Sequence, residues 1–163
     1  MRSLSEIDTL SKRASKGIGF SWGISEEIGK SIRLMEMFGL PGLKNLNNYF
    51  KTVKTNQFQN ISLITEKNIS NKIPYCPLIA GINFMDQINS LEKFKKIIFY
   101  NMAYPILFIP FVSRSSEIIG KKISLKIENQ TYLLNFNHSI YLKNKIENLK
   151  DKVELLEIEF IEN

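Results

Sequence analysis

Apolar residues recur at helical spacing through the first third of the chain and at alternate positions near its end. Ile7, Leu10 and Ala14 share one face of a helix predicted from about Leu4 to Lys16. Ser3-Leu4-Ser5-Glu6 opens it as a capping box, in which hydroxyl and carboxylate each take the other residue's backbone N–H. Lys12, Arg13 and Lys16 load its last turn, where cations suit the negative helix end, and Gly17 is the expected C′ residue. Ser21 predicts the N-cap of a second helix, with the stripe Ile24, Ile28, Ile32 and Met35 and a stop at Phe38-Gly39. Gly29 inside it costs roughly 1 kcal/mol relative to Ala and predicts the close approach of another backbone. After the Leu40-Pro41-Gly42 turn, Leu43, Leu46, Phe50 and Val53 predict a third helix.

From Thr55 to Pro74 asparagines interrupt short apolar runs; this is expected to be linker, with strand character only at Ile61-Ser62-Leu63-Ile64. Leu78 to Met85 reads as a short buried helix starting at Pro77 in preference to a strand. Lys96–Tyr100 and Tyr104–Ile109 read as two strands joined at Asn101-Met102-Ala103. Phe111, Ser115 and Ile118 share a helical face that Gly120 should terminate. Ile123, Leu125 and Ile127 alternate with Lys122, Ser124 and Lys126; a turn at Glu128-Asn129-Gln130 and a return strand Thr131–Phe136 complete the clearest hairpin. The charged stretch Tyr141–Lys152 suggests a short helix. Leu156, Ile158 and Phe160 alternate with Glu157 and Glu159, as in a half-exposed edge strand whose carboxylates deter intermolecular pairing. The expected fold is α+β. A three-helix N-terminal lobe, residues 1–55, packs on an antiparallel or mixed sheet with one or two short helices, residues 56–163, as one compact unit.

Composition narrows the functional classes. Hydrophobic residues make up 44% and charged residues 23% of the 163 positions, as in an ordinary soluble domain. The longest apolar run, Tyr104–Val112, is too short for a membrane span and is broken by Pro105 and Pro110. The start lacks the pattern of a secretory signal and Cys76 is the only cysteine, so a cytoplasmic protein without disulfides is expected. A homodimer is the default that oligomer frequencies supply. The net charge of +6 admits an anionic partner. Yet Arg2, Arg13, Arg33 and Arg114 are scattered, and Lys93, Lys95 and Lys96 with Lys121, Lys122 and Lys126 read better as a solvated face than as a nucleic-acid site. One histidine and one cysteine exclude the common zinc clusters within one chain, and no phosphate loop, zincin motif, nucleophile elbow or EF-hand is present. No metal or cofactor is expected.

The densest stretch is Gly17 to Gly29, which holds the only tryptophan and four of the eight glycines. Gly17-x-Gly19 followed by Gly23 imitates a dinucleotide fingerprint, but that motif needs a preceding strand and here a capped helix precedes it. A hinge between two helices is the better reading, with Trp22 as a core anchor at the junction. Glu26 and Glu27, about 100° apart on a helix, suit placement near its positive end better than an acid/base pair. The ligand-binding candidates are Ser21, Trp22, Gly23, Glu26, Glu27 and Asp86. Cys76, before Pro77 at a predicted helix start, is the candidate nucleophile with His138 as its conceivable base, although a buried inert thiol is the plainer reading. These readings favour a non-catalytic cytoplasmic binding or accessory protein acting through a protein partner or small metabolite. The alternative is a small-molecule enzyme using Cys76 or a carboxylate from Glu26, Glu27 or Asp86; weak nucleic-acid binding ranks third.

Several blocks together resemble an uncharacterised family of short bacterial proteins of unknown function. They are Ser3-Leu4-Ser5-Glu6-Ile7, Ser21-Trp22-Gly23 with Glu26-Glu27-Ile28-Gly29, Gly39-Leu40-Pro41-Gly42, Cys76-Pro77 with Gly81 and Asp86, and Pro105-Ile106-Leu107 with Pro110-Phe111. That resemblance implies no established activity. The first ~50 residues are also similar in layout to the N-terminal helices of the malate/L-lactate dehydrogenase-like family. Where those NAD-dependent enzymes carry Asp-Ser-His-Gly, this chain has Leu40-Pro41-Gly42-Leu43, which implies a non-catalytic relative or accessory.

Overall fold

A computed structural model describes residues 2–135, 139–142 and 151–161. The chain divides into two compact units, Met1–Gln57 and Phe58–Asn163. The first is helical: α1 (Leu4–Ile18), α2 (Trp22–Met37) and α3 (Gly42–Val53). Ser3 caps α1 by accepting the Glu6 N–H at 3.1 Å, and Ser21 caps α2 by accepting the Ile24 N–H at 3.3 Å. The N-terminus of α3 has no cap of its own; Glu36 of α2 accepts the Leu43 N–H at 2.9 Å. α1 runs past Gly17, and its left-handed cap is Gly19, at φ 118°. Gly17 is carried within the helix, and the later stop lets the Gly19 and Phe20 N–H groups close onto the Lys16 and Ser15 carbonyls.

The packing of α1 on α2 rests on small residues. Ser11, Ser15, Ser25 and Gly29 are all buried. A Cβ at Gly29 would sit 2.8 Å from the Asp8 carbonyl oxygen and 2.6 Å from the Asp8 carboxylate, so the expected close approach is found. Ile28, Ile32 and Met35 are fully buried and Ile24 half-buried, as the stripe requires.

The second unit is built on a mixed sheet, so the α+β class holds. Among the described residues it has six strands in the order β1-β2-β6-β3-β4-β5. They are β1 (Lys67–Ile69), β2 (Lys96–Ala103), β3 (Lys122–Ile127), β4 (Gln130–Asn135), β5 (Ser139–Leu142) and β6 (Lys152–Ile161). β1 pairs parallel to β2 and the other pairings are antiparallel. Helices α4 (Pro77–Asp86), α5 (Ile88–Leu91) and α6 (Ile109–Ile119) complete it, with a 3₁₀ turn at Pro105–Phe108. Rows of apolar side chains cross the covered face: Ile97, Ile158, Leu125 and Tyr132 in register, then Phe99, Leu156 and Ile127. α6 packs on β3 and β4, and α4 on α6, where Gly81 leaves room for the Phe111 ring. Phe84, Phe99 and Phe108 meet edge to face, with centroids 5.6 and 5.4 Å apart.

Several expectations are corrected. Lys96–Ala103 is one strand and not half of a hairpin; Tyr104, at φ 42°, turns it into the 3₁₀ turn and α6, because Pro105 and Pro110 cannot extend a central strand. Asn101 bends that strand at φ 71°, so Ile97 and Phe99 face the core before it and Met102 after it. β6 is a central strand between β2 and β3, not an edge; Glu159 and Glu157 lie 3.3 and 3.8 Å from the Lys96 ammonium. Ile61–Ile64 forms no strand, and the short strand of that region is β1. Ile118 is 54% exposed and so leaves the buried face of Phe111 and Ser115. Tyr141 and Leu142 belong to β5 and Lys152 to β6, while 143–150, Phe136 and His138 lie outside the described residues.

Two measurements test this packing. Gly29→Ala should lose about 1–2 kcal/mol of stability to urea, because overlap with Asp8 outweighs the gain in helix propensity; a gain would refute the close contact. Tyr132 is 1% exposed and donates to Gln130 Oε1 at 2.9 Å, and burial pushes its phenol up to about 12. The unfolded chain releases that proton near the ordinary value of 10.0, so this contribution to stability is whole below it and is lost as pH rises toward about 12. Tyrosinate absorbance should show a late-ionising phenol that Tyr132→Phe removes.

Candidate functional site

Three residues, Gly19-Phe20-Ser21, join α1 to α2, and the corner they make carries most of the predicted candidates. Trp22 begins α2 but does not anchor a core: it is 58% exposed. Ser21 commits its side chain to the Ile24 N–H, and the first helical residue is thrown outward from its cap. The Lys16 ammonium stands 5.4 Å from the centre of the indole, a cation–π contact that ties the end of α1 to the start of α2.

Gly17, Gly19 and Gly23 lie close to Trp22 in sequence and present bare backbone, since a Cβ on any of them would meet nothing within 4 Å. Gly19 is required by its positive φ. Gly17 and Gly23 have neither a positive φ nor a close neighbour. Nothing inside the fold accounts for them, although a glycine in a helix costs up to about 1 kcal/mol relative to Ala.

Glu26 and Glu27 fall in the second turn of α2, and the first turn holds no acid. The expected dipole placement therefore fails, because that effect fades within the first turn. Glu26 is exposed, while Glu27 is half-buried and accepts from Lys30 at 3.4 Å. The corner thus brings together Ser21, Trp22, Gly23 and Lys16. Asp86 belongs to the other unit, as the exposed last residue of α4.

Cys76 stands at the N-cap of α4, as Cys76-Pro77 implied, but is 1% exposed. A thiol so enclosed cannot reach a substrate without local opening. The basic-face reading also weakens: Lys96 sits between Glu157 and Glu159, and Lys121 pairs with Glu92 at 2.9 Å. The Glu159 hydrogen bond, then the charge of Glu157, hold the Lys96 ammonium above its ordinary range.

The asparagine-rich stretch expected to be linker forms a cleft of about 600 Å³ within the sheet unit. Gln59–Leu63 make one wall, Ile69–Ile73 the other, and buried Tyr75 contributes from the sheet side. Side-chain amides pin both walls. Asn83 donates to the Ile61 carbonyl and Gln87 to that of Ser62, each at 2.6 Å; Gln87 also accepts the Ile64 N–H at 3.0 Å. Asn101 donates to the Ser70 carbonyl at 2.9 Å, and the Ser70 hydroxyl to that of Ile73. Sequence reasoning missed this site because its walls have no periodicity. The one available signal was the density of Asn and Gln, side chains able to satisfy an irregular backbone.

Among the described residues no group of three or more His, Cys, Asp or Glu could hold a metal ion, and no helix is long and apolar enough to cross a membrane. Native Cys76 should react with a thiol reagent at least about 100-fold more slowly than in urea, as global or local opening must precede attack; rapid native labelling would restore it as a nucleophile.

No curated protein and no solved structure matches the chain, and the similarity to the malate/L-lactate dehydrogenase-like family has no match behind it. The blocks from Cys76-Pro77 onward lie beyond the family match, which takes in α1 to α3 and the described residues that line the cleft. As the sequence blocks implied, that match is to an uncharacterised family: residues 2–75 fit the model described as a protein of unknown function, DUF3726.

Proposed function

We propose that this chain is a non-catalytic cytoplasmic binding or accessory protein whose partner protein docks on the Trp22 corner. The observation that carries the reading is the exposed sole tryptophan, flanked in sequence by Gly17 and Gly23, which the fold does not need. An indole supplies a large rigid apolar surface, and such side chains dominate the energetics of protein interfaces. Bare backbone beside it lets a partner approach more closely than any side chain would allow. Lys16 keeps the ring in place and adds a cation at the rim. Ser21 and Gly23 shape the same surface, Glu26 and Glu27 supply acid on the following turn, and Asp86 is left outside this reading.

The test separates binding from folding. Gly17→Ala and Gly23→Ala should leave stability unchanged or raise it by about 0.5–1 kcal/mol. Trp22→Ala should change it by less than about 0.5 kcal/mol. Affinity capture with wild type and variants in parallel should identify a protein that wild type retains and Trp22→Ala loses at least tenfold, roughly 1.4 kcal/mol. Sedimentation of the protein alone tells whether that partner is a second copy. Equal retention by wild type and Trp22→Ala would overturn the proposal.

A further inference from the structure

The cleft between Gln59–Leu63 and Ile69–Ile73 is independent of the Trp22 corner and lies wholly in the sheet unit. Its walls are held by Asn83, Gln87 and Asn101 from behind, so the shape exists before any ligand arrives. Leu63 is 70% and Ile69 52% exposed, and both line it. They are two large aliphatic groups left in water in the lining. Among the described residues the side chains of Asn60, Asn71 and Lys72 make no hydrogen bond or ion pair, and all three line the same space. Among the described residues Lys72 is the only charged one in the lining, which contains no carboxylate and no imidazole.

We infer that this cleft binds a carboxylate carried on a small aliphatic body. Lys72 supplies the counter-charge, the Asn60 and Asn71 carboxamides offer donors and acceptors to a neighbouring polar group, and Leu63 and Ile69 cover the aliphatic part. A multiply charged anion is disfavoured by the single cation, and a cationic ligand by the absence of any acid among the described lining residues. The same chemistry is offered by a free acylated amino acid and by the last residue of a peptide chain.

Two-dimensional amide NMR of the full chain tests this, with N-acetyl-leucine, N-acetyl-leucinamide and an octapeptide ending in leucine carboxylate as probes. N-acetyl-leucine should give saturable shifts confined to residues 59–75 and their clamps, and the amide should bind about tenfold more weakly. Lys72→Gln should lose the preference for carboxylate over amide, and Leu63→Ser should weaken both probes. Both substitutions are at exposed positions, and the dispersed amide spectrum reports that each variant is folded. An octapeptide binding at least tenfold more tightly than N-acetyl-leucine assigns the site to a chain end, and equal binding to a free metabolite. No saturable shift by about 10 mM carboxylate, weaker than any useful small-ligand affinity, would overturn the inference. So would equal binding of acid and amide.

Discussion

The sheet depends on β6 lying between β2 and β3. Every strand carries backbone donors and acceptors on both edges, and burial of either edge without a partner is costly. Without β6 the sheet would fall into two pieces, β1-β2 and β3-β4-β5, each with a bare edge beside buried apolar side chains. β6 joins them and places Leu156 and Ile158 in the middle of the apolar rows. Its opposite face carries Glu157 and Glu159, both of which pair with Lys96. Because β6 is last in the sequence, this pairing closes the longest loops in the unit and is the part that local preference helps least.

In the helical unit the corresponding constraint is the distance between α1 and α2. Serines and Gly29 bring the two backbones together, at the expense of the Ser11 and Ser25 hydroxyls, which are buried without hydrogen-bond partners. Once that approach is fixed, the three-residue connection has little freedom. Gly19 must take a positive φ, Ser21 must cap, and Trp22 is carried outward. The exposure of the indole thus follows from the tightness of the helices behind it.

The cleft shows a different economy. Its walls have almost no regular structure, and their carbonyls would be poorly satisfied if left to themselves. Asparagine and glutamine side chains from α4, from β2 and from the turn between α4 and α5 take over that role. Asn68 does the same for the loop before β1, bonding to the Thr65 N–H at 2.9 Å and to the Thr65 and Ile98 carbonyls. A segment that looks like linker in composition is thereby an ordered wall, and the richness in asparagine has a structural use here.

The sequence by itself determined the helices of the first third, with the caps at Ser3 and Ser21, the buried helix after Pro77 and the hairpin from Lys122 to Asn135. Each rests on local signals: a capping hydroxyl, a period of 3.6 or 2, or a proline at a helix start. It also marked the Trp22 corner and the enclosed thiol of Cys76. Only the tertiary structure decided that β6 is central, that Lys96–Ala103 is one bent strand, that Trp22 faces water and that residues 59–75 wall a cleft. In each case the deciding partner is distant in the chain. Alternation shows that a strand has two faces but not whether its edges are paired, and an aromatic side chain carries no local mark of which way its helix is turned. The clamps from Asn83, Gln87 and Asn101 likewise act on residues far away in sequence, where no periodicity can record them.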